Sequence, residues 1–149
     1  MPTSAKNHLS YYASMPKTIF LAEDDIDDQE FLKEAFLSLD EHVQLHMENS
    51  GEKAINYLKS LPEYCLPNLI ILDYNLPLIS GHQLLEHLSS LEKFKRVRKV
   101  VWSTSDSHLY QHACLNSGAD AYFVKPSNIT GVKNLAGVML GLCSSVERT

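Results

Sequence analysis

The chain has 149 residues, 44% of them apolar and 21% charged, with a formal net charge of −5. That is the length of about one domain, enough to bury a core without disulfides or a structural metal, and the acidic balance argues against nonspecific nucleic-acid binding. Cys65, Cys114 and Cys143 show neither a CxxC pattern nor histidine spacing, so a reducing compartment with inert thiols is expected rather than a disulfide framework or zinc site.

No stretch approaches the ~18 consecutive apolar residues of a membrane span. Residues 1–16 carry one lysine and no apolar run of the kind a signal peptide needs; they read as a flexible extension before a folded unit at 17–144 and a short tail at 145–149. A cytoplasmic protein without membrane contact is expected.

The first apolar run, Thr18-Ile19-Phe20-Leu21-Ala22, ends in Glu23-Asp24-Asp25. Phe31, Leu32, Ala35, Phe36 and Leu39 then fall on one helix face. Val43 to Met47 alternates like a more exposed strand, and Ala54, Tyr57, Leu58 and Leu61 make a second helical stripe stopped at Pro62. The run Leu69-Ile70-Ile71-Leu72 closes in Asp73, after which Tyr74-Asn75-Leu76-Pro77 cannot continue a strand. A third stripe follows at Leu84, Leu85, Leu88 and Leu91. A strand from Val100 to Ser103 leads to a helix over roughly 106–116, with Gly118 placed as its C-cap. A fifth strand over 121–124 reaches Lys125-Pro126, and a last helix from about Asn128 carries Val132, Leu135, Ala136, Met139 and Leu142.

Five strand-then-helix repeats imply right-handed crossovers and an α/β fold: a five-stranded parallel sheet with helices on both faces. The continuous runs at 69–72 and 100–102 fit strands buried on both sides. Four strands each deliver polar groups at their C-terminal ends: Glu23 and Asp24, Asp73, Ser103, and Lys125. In an open parallel sheet these ends share one edge, and ligands bind in the crevice outside it. Six acids lie between Glu23 and Glu30; Asp27, Asp28 and Glu30 are assigned to the helix N-terminus, where the dipole favours them, and Glu23 and Asp24 to the site.

The segments IFLAEDD from Ile19, LIILDYNLPLISG from Leu69, VVWSTS from Val100 and AYFVKP from Ala121 together resemble the receiver domain of bacterial two-component response regulators. The resemblance runs from about Lys17 to Leu142, with all four motifs in order. It implies a (βα)5 flavodoxin-like receiver fold and a single-domain regulator, since no room remains for a fused output domain. Asp73 matches the phosphoacceptor, which takes a phosphoryl group from a histidine kinase. Asp24, Asp73 and the backbone carbonyl of Asn75 match direct Mg²⁺ ligands, a hard oxygen set suited to that ion, and Glu23 matches an acid acting through water. Ser103 and Lys125 would bind phosphoryl oxygens. Tyr122 resembles the family's switch aromatic, although as a plain sequence feature it is equally a strand tyrosine at a half-buried edge. Pro126 resembles a proline that follows a cis bond.

Such a protein catalyses its own phosphorylation and dephosphorylation without being a turnover enzyme, and acts through a kinase and a downstream phosphotransfer or target protein. Monomer and homodimer are both compatible. Asn75 and Ser105 flank the site and are placed to tune phosphoryl lifetime. Ser103-Thr104-Ser105 and the basic segment 93–99, read as a solvated loop, more faintly resemble regulators paired with phytochrome-type kinases. His108 and His112, at i, i+4 spacing, lack a third ligand and read as surface residues. Two alternatives stay open. One is a Mg²⁺-dependent phosphohydrolase of the haloacid dehalogenase type, which expects a second aspartate where Asn75 stands. The other is a receiver-like scaffold that works without phosphorylation.

Overall fold

The computed structural model describes residues 15–144. Residues 1–14 of the expected extension and the tail at 145–149 lie outside the described residues. Five strands form one parallel sheet in the order β2-β1-β3-β4-β5: β1 Thr18–Ala22, β2 Gln44–Glu48, β3 Leu69–Asp73, β4 Arg98–Ser103 and β5 Ala121–Val124. The helices between and after them are α1 Ile26–Leu39, α2 Gly51–Ser60, α3 Gly81–Ser89, α4 His108–Asn116 and α5 Ile129–Ser144. The strand order reverses between β1 and β3, the topological switch point at which such sheets bind ligands.

All five residues of β3 are buried, because helices cover both faces of the sheet. On one face Ile19, Leu21, Leu69, Ile71, Val100 and Trp102 pack under Leu32, Ala35 and Phe36 of α1 and Val132, Ala136 and Met139 of α5. On the other, Phe20, Ile70, Leu72 and Val101 pack under Ala54 and Leu58 of α2, Leu84, Leu85 and Leu88 of α3, and Cys114 of α4. At about 1.5–3 kcal/mol per fully buried large apolar side chain, these two layers hold the strand ends in register. Each helix start is tied by a side chain: Asp25, Ser50, Ser80 and Ser107 accept from the backbone of Asp28, Lys53, Gln83 and Tyr110, and Asn128 accepts from Gly131. Gly118 follows α4 with φ +110°, a left-handed conformation that suits glycine.

Several boundaries differ from those the sequence suggests. Phe31 and Leu39 are 45% and 43% exposed, so the buried face of α1 is narrower than its apolar stripe. The α4 helix starts at His108 because Ser107 supplies the cap, and Leu91 lies beyond α3, whose C-cap is Ser90. The basic segment at 93–99 is not a solvated loop. Phe94 and Val97 are buried, and Lys99, 4% exposed, belongs to β4. There its ammonium donates to the Val97 carbonyl and its backbone N–H to the Asp120 carboxylate. Burial holds the Lys99 ammonium below its ordinary range. The expected cis bond before Pro126 is absent, as no cis peptide occurs among the described residues; an X–Pro bond differs by only about 0.5–1 kcal/mol between isomers, so local sequence does not decide it.

Candidate functional site

The C-terminal ends of β1, β3 and β5 and the start of α1 enclose a cleft of about 490 Å³, lined by Asp24, Asp25, Ile26, Asp27, Asp28, Asp73, Asn75, Thr104 and Lys125. Asp73 is placed by β3 and is 3% exposed. Its loop is pinned on two sides, by the Tyr74 N–H donating to the Trp102 carbonyl and the Gly81 N–H donating to the Tyr74 carbonyl. Gly81 is required there, since a Cβ would overlap the Asp73 carbonyl. The Asn75 N–H donates to Asp73 Oδ1 at 3.1 Å, leaving Oδ2 facing Lys125.

Lys125 leaves β5 and spans the cleft. Its Nζ donates to Glu23 Oε1 at 2.7 Å and to Asp28 Oδ2 at 2.9 Å, and lies 3.4 Å from Asp73 Oδ2. It also sits 4.7 Å from the ring centroid of Trp102, a cation–π contact. Burial alone would lower its pKa, but the bonds from Glu23 and Asp28 and the charge of Asp73 outweigh this and hold the ammonium above its ordinary range. Asp28, which the sequence assigns only to the helix end, is therefore a member of the site. The cap of α1 is Asp25, so the Asp28 carboxylate is free to reach across to Lys125.

Glu23, Asp24 and Asp73 each offer an oxygen within 4.8 Å of the others. This is a hard, oxygen-only donor set of the kind that suits Mg²⁺. One lysine cannot balance it. The Glu23 carboxyl is pushed up to about 8, first by burial and then by Asp73, against the pull of Lys125. The cluster is short of positive charge, and a divalent cation fits that deficit. Asn75 is exposed beside it and lines the cleft. His108 and His112 are exposed and form no metal-ligand group among the described residues.

Ser103 is fully buried and does not line the cleft; its Oγ accepts the Ser105 N–H at 3.1 Å, and Thr104 stands at the wall. Because Oγ accepts there, its proton stays available for donation. Tyr122 is half-buried with its ring against the α2–α4 side of the sheet, and its hydroxyl donates to the Ser105 carbonyl at 2.8 Å. The Tyr74 ring stacks on Tyr110 of α4 with centroids 4.5 Å apart, a link between the Asp73 loop and α4. The roles of Asp28 and Thr104 left no trace in the apolar pattern.

Residues 19–136 match the family described as the response regulator receiver domain. The chain belongs to that family. As a response regulator receiver domain it is 30% identical over 137 residues to the two-component response regulator ARR6 of Arabidopsis thaliana, covering 87% of this chain and 73% of that one. It is 27% identical to the probable methanogenesis regulatory protein FilR2 of Methanothrix harundinacea, over 81% of this receiver chain and 79% of its relative. Among solved structures, the phosphorylated cyanobacterial phytochrome response regulator RcpA superposes with a TM-score of 0.81 at 27% identity, covering 90% of this chain and 98% of that one. The Mn²⁺-bound form of response regulator Rcp1 gives 0.78 at 27% identity, covering 90% and 99%. Receivers of this family are signalling proteins rather than turnover enzymes, and their membership of two-component systems implies a histidine kinase partner. No helix among the described residues is long and apolar enough to cross a membrane.

Proposed function

We propose that this receiver accepts a phosphoryl group on Asp73 from a phosphohistidine of a sensor histidine kinase. The observation that carries the reading is one buried carboxylate at the end of β3, 3% exposed, with two further acids within 4.8 Å and an ammonium at 3.4 Å. Asp24, Asp73 and the Asn75 carbonyl would hold Mg²⁺ directly and Glu23 through water, and the ion would offset charge on the phosphoryl oxygens.

An Asp73 oxygen forms the new bond to phosphorus while the bond from phosphorus to the donor imidazole breaks. The electron pair leaves with the imidazole, which takes a proton from solvent. Lys125 pairs with one equatorial oxygen as a point charge, and the Ser103 hydroxyl donates to another after leaving its contact with Ser105. Release of that contact loosens the loop to which Tyr122 is bonded, so the phosphoryl group favours one of two arrangements of the face made by α4, β5 and α5. A downstream phosphotransfer or target protein reads that face. The RcpA likeness and Ser103-Thr104-Ser105 support a kinase of the phytochrome type as donor, and a cytoplasmic setting follows from such a partner.

Intact mass after incubation with acetyl phosphate and Mg²⁺ tests the reading. One phosphoryl adduct on the wild type, absent from Asp73→Asn and from a chelated sample, is expected. A folded, Mg²⁺-loaded protein that takes no adduct would refute it and favour the phosphorylation-independent scaffold. Steady release of phosphate from a small ester would instead indicate the aspartate-nucleophile phosphohydrolase, which the side chain at Asn75 disfavours.

A further inference from the structure

The Lys125 ammonium has three protons to donate, and in the resting arrangement two of them go to Glu23 and Asp28 rather than to Asp73. These two acids differ. Glu23 is fully buried and belongs to the trio of carboxylates suited to a cation, whereas the Asp28 side chain is 32% exposed and stands outside that trio. A cation held by the trio competes with Lys125 for Glu23 and repels the ammonium from Asp73. Asp28 is the acid left to hold it.

We infer that Asp28 is the resting partner of Lys125: it draws the ammonium off the metal-binding carboxylates and yields it when a phosphoryl group arrives on Asp73. Asp28 is thus a positioning residue acting through Lys125, and the assignment of its second step rests on the phosphoacceptor reading above. Two local facts support it. Asp25 is the cap of α1, accepting the Asp28 N–H on its side chain and the Gln29 N–H on its carbonyl, and among the described residues no backbone N–H donates to the Asp28 carboxylate. Asp28 therefore has no capping task. Its carboxylate meets a lysine 97 positions away in the chain, and Asp27, on the same turn and lining the same cleft, makes no ion pair among the described residues.

The direction of the effect follows. Without the Asp28 charge, Lys125 falls back on Glu23 and Asp73 and competes with Mg²⁺, so metal affinity weakens. Once the metal is saturating, the lysine has no rival acid to leave, so transfer to Asp73 is faster. These opposite signs separate a resting partner from an acid that merely serves the helix.

The test compares wild type, Asp28→Asn, Asp28→Glu and Asp27→Asn, each confirmed folded by thermal melting. Mg²⁺ affinity is read by calorimetry, and labelling by acetyl phosphate at saturating Mg²⁺ is read by mass. Asp28→Asn should weaken Mg²⁺ binding and speed labelling, each by about three- to fivefold, the scale of a partly exposed ion pair. Asp28→Glu should restore both, and Asp27→Asn should change Mg²⁺ affinity by less than about twofold. Equal loss of Mg²⁺ affinity in Asp27→Asn and Asp28→Asn would overturn the inference, since only the general field would then matter; slower labelling in Asp28→Asn would also overturn it. If no chain takes an adduct while the Asp28-specific Mg²⁺ effect stands, the phosphoacceptor reading fails and the hold on Lys125 survives. A wild-type adduct with flat Mg²⁺ affinities gives the reverse.

Discussion

Replacing Gly81 with alanine should destabilise the protein, and the same substitution at Gly141 should stabilise it. At Gly81 the new methyl would overlap the Asp73 carbonyl oxygen and lie 2.8 Å from the Asp73 carbonyl carbon and Tyr74 Cα. These are backbone atoms of a loop pinned on two sides, so they cannot rotate away as a side chain would. Overpacking of this kind costs about 1–3 kcal/mol. If α3 shifts to relieve it, the 2.9 Å bond from the Gly81 N–H to the Tyr74 carbonyl is weakened, adding about 0.5–1.5 kcal/mol. Alanine's better helix propensity returns at most ~1 kcal/mol, leaving a net loss of about 0.5–4.5 kcal/mol from a typical total of ~5–15. At Gly141 a Cβ meets nothing within 4 Å among the described residues, so the propensity gain of up to ~1 kcal/mol is expected there. Urea unfolding in the absence of metal measures both, with unchanged slopes required for the comparison. A Gly81→Ala midpoint indistinguishable from wild type, or an equal loss at Gly141, would refute the claim that α3 is set against the Asp73 carbonyl.

Three further outcomes are expected. The folded pKa of Glu23 lies above its ordinary value of 4.5, at about 8, so the stability it contributes is complete below pH 4.5 and is lost as pH rises through about 8. The metal-free protein should soften across that window by no more than ~1.4 kcal/mol per pH unit from this group, and the slope should flatten in Glu23→Gln; pH-dependent melting that is identical in the variant contradicts this. Trp102, 1% exposed and 4.7 Å from Lys125 Nζ, should report movement of that ammonium as a change in emission on Mg²⁺ addition, and a response of the same size in Lys125→Met would show that the lysine is not its source. Among the thiols, exposed Cys65 should react first with an aromatic disulfide reagent, while buried Cys143 and Cys114, the latter with its pKa pushed up to about 11 by burial, should react only on unfolding; two fast thiols in the native protein would count against the packing described.

The sheet was legible because β1, β3 and the Val100 to Trp102 stretch of β4 are buried and read as apolar runs, and a parallel sheet then places Asp73, Glu23 and Lys125 on one edge. The helix pattern was less exact at its margins. Phe31 and Leu39 are apolar without being buried, and Lys99 is charged without being exposed, because burial follows the position of a residue on a packed element and not its type alone. Asp28 was misassigned for a related reason. An acid in the first turn of a helix has a sufficient local explanation in the dipole, and only the fold brings Lys125 within 2.9 Å of it. The sequence assigns Ser103 to the site by its place at the end of β4, whereas the structure buries it away from the cleft lining with its Oγ accepting the Ser105 N–H, a contact of the loop conformation that no periodicity encodes. Thr104 at the cleft wall was invisible for the same reason.

The contact between Glu23 and Lys125 joins residues 102 positions apart, and Asp73 comes between them in sequence, on a strand that lies between β1 and β5 in the sheet. The cleft therefore has no local precursor. A growing chain that has made β1 through β4 already owns the three acids, yet lacks Lys125, which meets two of them, until β5 docks at the edge of the sheet. The charge arrangement of the cleft is thus completed only by the last strand, and a chain that stops short of it presents the acidic notch without its lysine.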